Sequence, residues 1–265
     1  MPLDIVEIVE AYRARAEVRR LAKVLVQGYS FGVKKEAHDK LREMGPERPG
    51  WVDTLREALY KGQDGLGWSA VLAAEALGRH GACVEEVATV MLKMLSAALA
   101  RDDLAQAEII ILVLRNTFLK AADRMVAYLD RMAGFLTDPR VGDKMAEAFR
   151  MIYRRWPEAY RGMLLAYRQA VLDPKKREYA EALHRLVEEA RAEAEAYTIG
   201  AVSEDPAERA AAAARLGASG CASNLVLQTL LWLTGDPDGT VRAAAHKALA
   251  RLGVDEEYNQ AMAVQ

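Results

Sequence analysis

What most constrains this chain is a helix-start signal that recurs along it. Aspartates open successive helical patterns at Asp64, Asp102, Asp138, Asp173, Asp205 and Asp236, spaced 38, 36, 35, 32 and 31 residues apart. In the last four, proline follows directly, as Pro139, Pro174, Pro206 and Pro237. The residue before a proline is pushed to extended backbone, the conformation an N-cap needs. The carboxylate then accepts from first-turn N–H groups, and proline takes the first helical position, where its missing donor costs nothing. Near-constant spacing of this kind marks an array of helix pairs.

The helix bodies repeat as well. Ala73-Ala74-Glu75-Ala76-Leu77-Gly78 is matched by Ala212-Ala213-Ala214-Arg215-Leu216-Gly217 and by Ala245-His246-Lys247-Ala248-Leu249-Ala250. Each is closed by a glycine, Gly81, Gly220 or Gly253. Small residues one turn apart admit a neighbouring helix and the leucine fills the core. The last glycine takes the left-handed turn that ends the helix.

The segment Asp236–Gly253 resembles the second helix of a HEAT repeat. The resemblance is strong over about 204–253, good over 64–95, and carried over 100–200 mainly by the aspartate starts. It implies an all-α, right-handed solenoid of about six HEAT-like helix pairs. It also implies an aspartate–arginine ladder between neighbouring repeats, with matching spacing at Asp173/Arg177, Asp205/Arg209 and Asp238/Arg242. Gly142 stands at the arginine position after Asp138 and interrupts that ladder.

The periodicity predicts first helices near 51–62, 84–99, 122–136, 157–172, 190–202 and 222–234. Second helices follow near 66–80, 103–119, 139–154, 175–189, 206–217 and 238–252. Amphipathic helices near 3–27 and 33–44 form an N-terminal cap. The domain expectation is 1–47 as capping helices, 51–253 as solenoid and 254–265 as a C-terminal cap or tail.

Composition supports this. Hydrophobic residues make up 52% of the 265 and aromatics only 7%, so the apolar content is mostly aliphatic and alanine, which suits closely packed helices. The longest aliphatic run, Ile109–Leu114, is expected to be buried on all sides and falls far short of the ~20 residues of a membrane span. Two cysteines and no basic-then-apolar leader point to a reducing compartment, read as cytoplasmic. Few Asn and Gln beside many Glu and Arg fit a thermophile, and a GC-rich genome produces the same bias.

No organised chemistry emerges. Cys83 and Cys221 occupy equivalent repeat positions, opening first helices, and read as packing residues too far apart to bridge. His38, His80, His184 and His246 are scattered; Glu181 and Glu188 flank His184 on one helix face, which reads as ion pairing better than as a metal site. The glycines at 62, 65 and 67 lack a strand before them and a Gly-Lys-Ser/Thr after them, so no nucleotide site is expected. Catalytic residues, metal and cofactor are all expected to be absent. Trp68 and Trp232 read as core, and Trp156 as exposed at a turn.

Charge is the most informative hint. The net charge is only −2, yet residues 138–177 carry ten basic residues against five acidic, and 178–209 carry three against nine. Residues 11–42 are also basic, with nine against three. Arg140, Lys144, Arg150, Arg154, Arg155 and Trp156 are the candidate binding residues, on a helix expected to face the solenoid groove. The leading expectation is a non-enzymatic scaffold that binds an unidentified protein or peptide there, away from membranes. The alternative is nucleic-acid binding. A third is an enzyme: the grouping of Asp143, Arg150 and Trp156 is similar to that of HEAT-like DNA alkylation glycosylases in fold analogy only, and bilin lyases match no residue here.

Overall fold

The computed structural model describes residues 5–62 and 67–254. Every regular element among them is helical, and they fall into two compact units, 1–124 and 125–265. Asp64, Gly65, the N-terminal residues 1–4 and most of the expected tail, 255–265, lie outside the described residues.

The first unit stacks helical hairpins. The pairs are α1 (Ile5–Gln27) with α2 (Phe31–Met44), α3 (Trp51–Lys61) with α4 (Trp68–Arg79), and α5 (Val84–Ala100) with α6 (Leu104–Phe118). First helices pack on first helices and second on second: α1 on α3, α2 on α4, α4 on α6. Polar bonds lock the first two pairs together below the surface. The Trp51 indole, fully buried, donates to the Leu41 carbonyl at 2.6 Å. Ser69 donates to the Leu25 carbonyl at 2.9 Å and accepts from Lys34 at 2.8 Å. His38, buried on α2, meets Glu75 of α4 at 2.7 Å. Burial works against the Glu75 anion, but bonds from His38 and Arg79 hold its pKa below the usual value. His80 closes α4, edge-on to Trp51 and 3.2 Å from the Arg42 carbonyl. The division between units falls within a single turn, α7 (Ala122–Met125).

The second unit contains α8 (Leu129–Ala133), α9 (Gly142–Arg155), α10 (Pro157–Leu172), α11 (Arg177–Ala196), α12 (Thr198–Ala201), α13 (Pro206–Ser219), α14 (Asn224–Leu233) and α15 (Gly239–Arg251). Hairpin partners are α10 with α11, α12 with α13, and α14 with α15. The second helices form one layer in which α11 touches both α9 and α13, and α13 packs tightly on α15. That tight approach has a local cause. A Cβ on Gly217 would stand 2.6 Å from both Cα and Cβ of Ala248. A Cβ on Gly78, its counterpart in the repeated motif, would run into the side-chain hydroxyl of Thr117 on α6. The three closing glycines, Gly81, Gly220 and Gly253, all adopt the left-handed conformation, with φ of 68°, 69° and 70°.

Two expected helices differ. The stretch 122–136 is broken into α7, a 3-10 turn (Val126–Tyr128) and α8, with Gly162 of α10 pressed against Val126 and Leu129. The expected boundary at 189/190 does not exist: α11 runs on to Ala196, and only the single turn α12 remains of the following first helix. No glycine or proline interrupts 177–196, and its Ala, Glu and Arg are strong helix formers.

The aspartate starts divide by role. Asp205 caps α13 as expected, accepting from Ala207 N at 2.9 Å. Asp173 caps a 3-10 turn (Pro174–Lys176), and Asp138 holds a turn that precedes α9. In the other two the cap sits further along: Asp103 caps α6 while Asp102 takes a φ of 58°, and Asp238 caps α15. Asp236 is thereby freed and buried; its carboxylate accepts from Arg209 Nε at 2.7 Å and Nη2 at 2.9 Å. Arg209 also donates to the carbonyls of Ser203 and Glu204. Arg242 repeats that contact one repeat later, on the carbonyls of Asp236 and Pro237.

Burial corrects three further expectations. Trp232 is 59% exposed, because Val226, Leu230 and Leu233 already fill the inner face of α14. Trp68 is only half-buried, edge-on to Phe31. Within 109–114, Ile109 and Leu112 face outward while Ile110, Ile111, Val113 and Leu114 are buried. Both cysteines are free; Cys83 occupies the N-cap of α5, but Cys221 is buried against the Tyr160 hydroxyl, and Ser223 opens α14 in its place.

Candidate interaction face

The opposed charges of 138–177 and 178–209 meet in the second-helix layer of the second unit. Arg150 on α9 forms a forked pair with Glu189 on α11, Nε to Oε2 at 2.8 Å and Nη2 to Oε1 at 3.2 Å. One turn on, Arg154 donates to Glu193 Oε2 from Nε at 3.1 Å and Nη2 at 3.0 Å. Both pairs are 39 residues apart in sequence, so the two helices run in matched register. The bond from Glu189 raises the Arg150 pKa, and the reciprocal bond lowers that of Glu189.

The remaining candidates point elsewhere. Arg140 lies in the turn before α9, where its guanidinium grips Asp138 at 3.0 and 2.8 Å. Lys144 and Arg155 are exposed roughly 120–140° around α9 from Arg150 at about 100° per residue. Arg155 covers the ring of half-buried Trp156, 5.2 Å from its centroid, where the chain extends between α9 and α10. Asp143 is exposed near the start of α9. The structure therefore brings together Arg150 and Arg154, and separately Arg155 and Trp156, rather than one continuous basic stripe.

Between α9, α11 and α13 lies a space of about 200 Å³, floored by Ala190, Ala194, Ala218 and the buried Tyr153 and rimmed by Arg154, Glu193, Tyr197, Arg215 and Ser219. Tyr197 donates to Glu193 at 3.3 Å, and the Arg215 guanidinium lies 5.9 Å from the Tyr197 ring centroid. Tyr153 is 3% exposed, and its hydroxyl has no hydrogen-bond partner. Burial raises its pKa, as does the nearby Glu193 carboxylate, so it stays a neutral phenol. None of Tyr153, Glu189, Glu193, Tyr197 or Arg215 was singled out by sequence. The available signal was the equal 39-residue offset between the Arg150/Arg154 and Glu189/Glu193 pairs.

A second, more open cleft of about 400 Å³ lies along α10 and α11, where His184 stacks on Tyr167 with ring centroids 5.1 Å apart. Among the described residues no cluster of His, Cys, Asp and Glu has the makings of a metal site. No helix among them is long and apolar enough to cross a membrane.

No family model matches the chain, and no curated protein does. Solved structures similar to it include an engineered protein determined by a structural genomics consortium, 19% identical, covering 89% of this chain and 68% of its own, with a TM-score of 0.43. A designed armadillo repeat protein is 16% identical over 89% of this chain and 99% of its own, with a TM-score of 0.38. Human deoxyhypusine hydroxylase is 17% identical over 93% and 99%, with a TM-score of 0.23. At such scores the class rests on the packing itself: within each unit, an all-helical stack of hairpins with first helices on first and second on second.

Proposed function

We propose that this chain is a non-enzymatic interaction scaffold, a HEAT-like right-handed array of about six pairs, which holds a protein or peptide against its second-helix layer. The observation that carries this reading is the α9–α11–α13 face. It is built on three helices, aligned by two cross-helix ion pairs, and contains an open, side-chain-sized space with an unpartnered donor. Stacked hairpins offer extended surfaces suited to chain-like partners. Neutralisation of Arg140, Arg150 and Arg154 by Asp138, Glu189 and Glu193 weighs against the nucleic-acid alternative, since phosphate contacts need uncompensated cations. The reading carries with it a cytoplasmic setting and no cofactor.

The test is a comparison of ligands on the immobilised full chain at low salt: a pool of capped random peptides against single- and double-stranded oligonucleotides. Retention of peptides and not of oligonucleotides is expected. Retention of oligonucleotides alone, falling steeply with salt, contradicts it.

A further inference from the structure

Resting on that reading, we propose that the space between α9, α11 and α13 is the seat for a single acidic side chain of the bound peptide, whose carboxylate takes over the donors now held by Glu193. Three observations lead there. First, the donors already converge on a carboxylate: Arg154 gives two bonds to Glu193 and the Tyr197 hydroxyl a third. Second, Tyr153 lines the same space, and its buried hydroxyl is a donor without an acceptor, which native structures rarely leave unsatisfied. Third, Arg215 reaches the same rim and forms no ion pair among the described residues, so the rim holds two guanidinium groups against one carboxylate.

Glu193 acts as a stand-in for the ligand. Its pair with Arg154 is at the surface, with side chains 34% and 56% exposed, and exchange of such a pair for another carboxylate costs little. Once Glu193 swings out, the incoming group gains what Glu193 lacks, the Tyr153 hydroxyl and the second cation of Arg215. The phenol stays protonated, since burial and the adjacent carboxylates oppose its ionisation, so it donates throughout the physiological range. The space, about 200 Å³, is smaller than the roughly 300 Å³ at which small-molecule pockets begin, and its floor of Ala190, Ala194 and Ala218 fits the methylene stem of a glutamate. A nucleic-acid phosphate has no such apolar stem to lay on that floor.

The experiment uses the full chain and two pools of capped random nonapeptides, one with Glu and one with Gln fixed at the centre, together with a single-stranded oligonucleotide. The Glu pool is expected to bind about ten-fold more tightly than the Gln pool, ~1.4 kcal/mol. Tyr153→Phe should reduce that preference, since a bond to a charged acceptor is stronger than one to an amide, without lowering the melting temperature, because it deletes an unsatisfied group. Glu193→Gln should strengthen Glu-pool binding by freeing Arg154. Equal binding of both pools overturns the seat while leaving the scaffold intact. Retention of neither pool overturns both, as does retention of the oligonucleotide alone. A Tyr153→Phe chain that keeps the full Glu preference, or a Glu193→Gln chain that loses it, also overturns the seat.

Discussion

Arg209 and Asp236, 27 residues apart, close a forked ion pair between α13 and the turn that leads into α15, with side chains only 11% and 4% exposed. This is an inter-repeat ion pair of the kind the HEAT resemblance implied, with one change of partner. The caps are Asp205 and Asp238, and the rung is made by Asp236, which the second aspartate has released from capping. The bond from Arg209 lowers the Asp236 pKa, although burial opposes this. A carboxylate whose folded pKa is lowered stabilises the fold fully above its unfolded value, about 3.9, and loses that contribution as pH falls through the folded value. Asp236→Asn should therefore melt below the parent at pH 7, and the two should converge as the pH is lowered beyond 4. Thermal melts across pH check this; a gap that persists at low pH contradicts it.

Gly217 should be intolerant of a single methyl group. An added Cβ meets the backbone of Ala248, which has no flexible end to move aside. Overpacking costs about 1–3 kcal/mol, against about 1 kcal/mol gained in helix propensity. Gly217→Ala is expected to lower the melting temperature. Gly32→Ala, at an exposed position of α2 with nothing within 4 Å of the new Cβ, should leave it unchanged or raise it.

Two tryptophans offer an opposed pair of tests. Trp51 is fully buried and bonded to the Leu41 carbonyl, so Trp51→Ala should destabilise its unit by about 3–5 kcal/mol. Trp232 stands mostly in solvent, so Trp232→Gln should change stability by no more than about 0.5 kcal/mol. Denaturant titrations distinguish them. A large loss at Trp232 would mean that its apolar face is covered in solution.

The α9–α11 register rests on pairs that are individually weak. A double-mutant cycle on Arg150 and Glu189 should give a coupling of about 0.2–1 kcal/mol that shrinks in 1 M salt. A coupling well above that range would place the pair in a drier setting than its exposure indicates.

The fold was legible where the code is local. Helix starts announced themselves through Asp205-Pro206, and helix ends through Gly81, Gly220 and Gly253, because a cap or a left-handed turn depends on adjacent residues only. Legibility failed where tertiary packing decides. The expected boundary at 189/190 came from repeat spacing alone, although no glycine or proline marks a stop there, and α11 runs through it. The apolar run on α14 could not show that its Trp232 side is left bare. The candidate face was half legible. Arg150 and Arg154 were among the six candidate residues, but their neutralisation by Glu189 and Glu193 depends on the register between two helices. Tyr153, amid charged neighbours, gave no sign that its hydroxyl would be buried without a partner.

The most direct test of the interaction face is hydrogen–deuterium exchange on the full chain, with and without the retained peptides. Protection confined to residues 150–155, 189–197 and 215–219 is the expected result, since these line the space between α9, α11 and α13. Protection centred instead on the cleft of Tyr167 and His184, or on the bare side of α14, would contradict it.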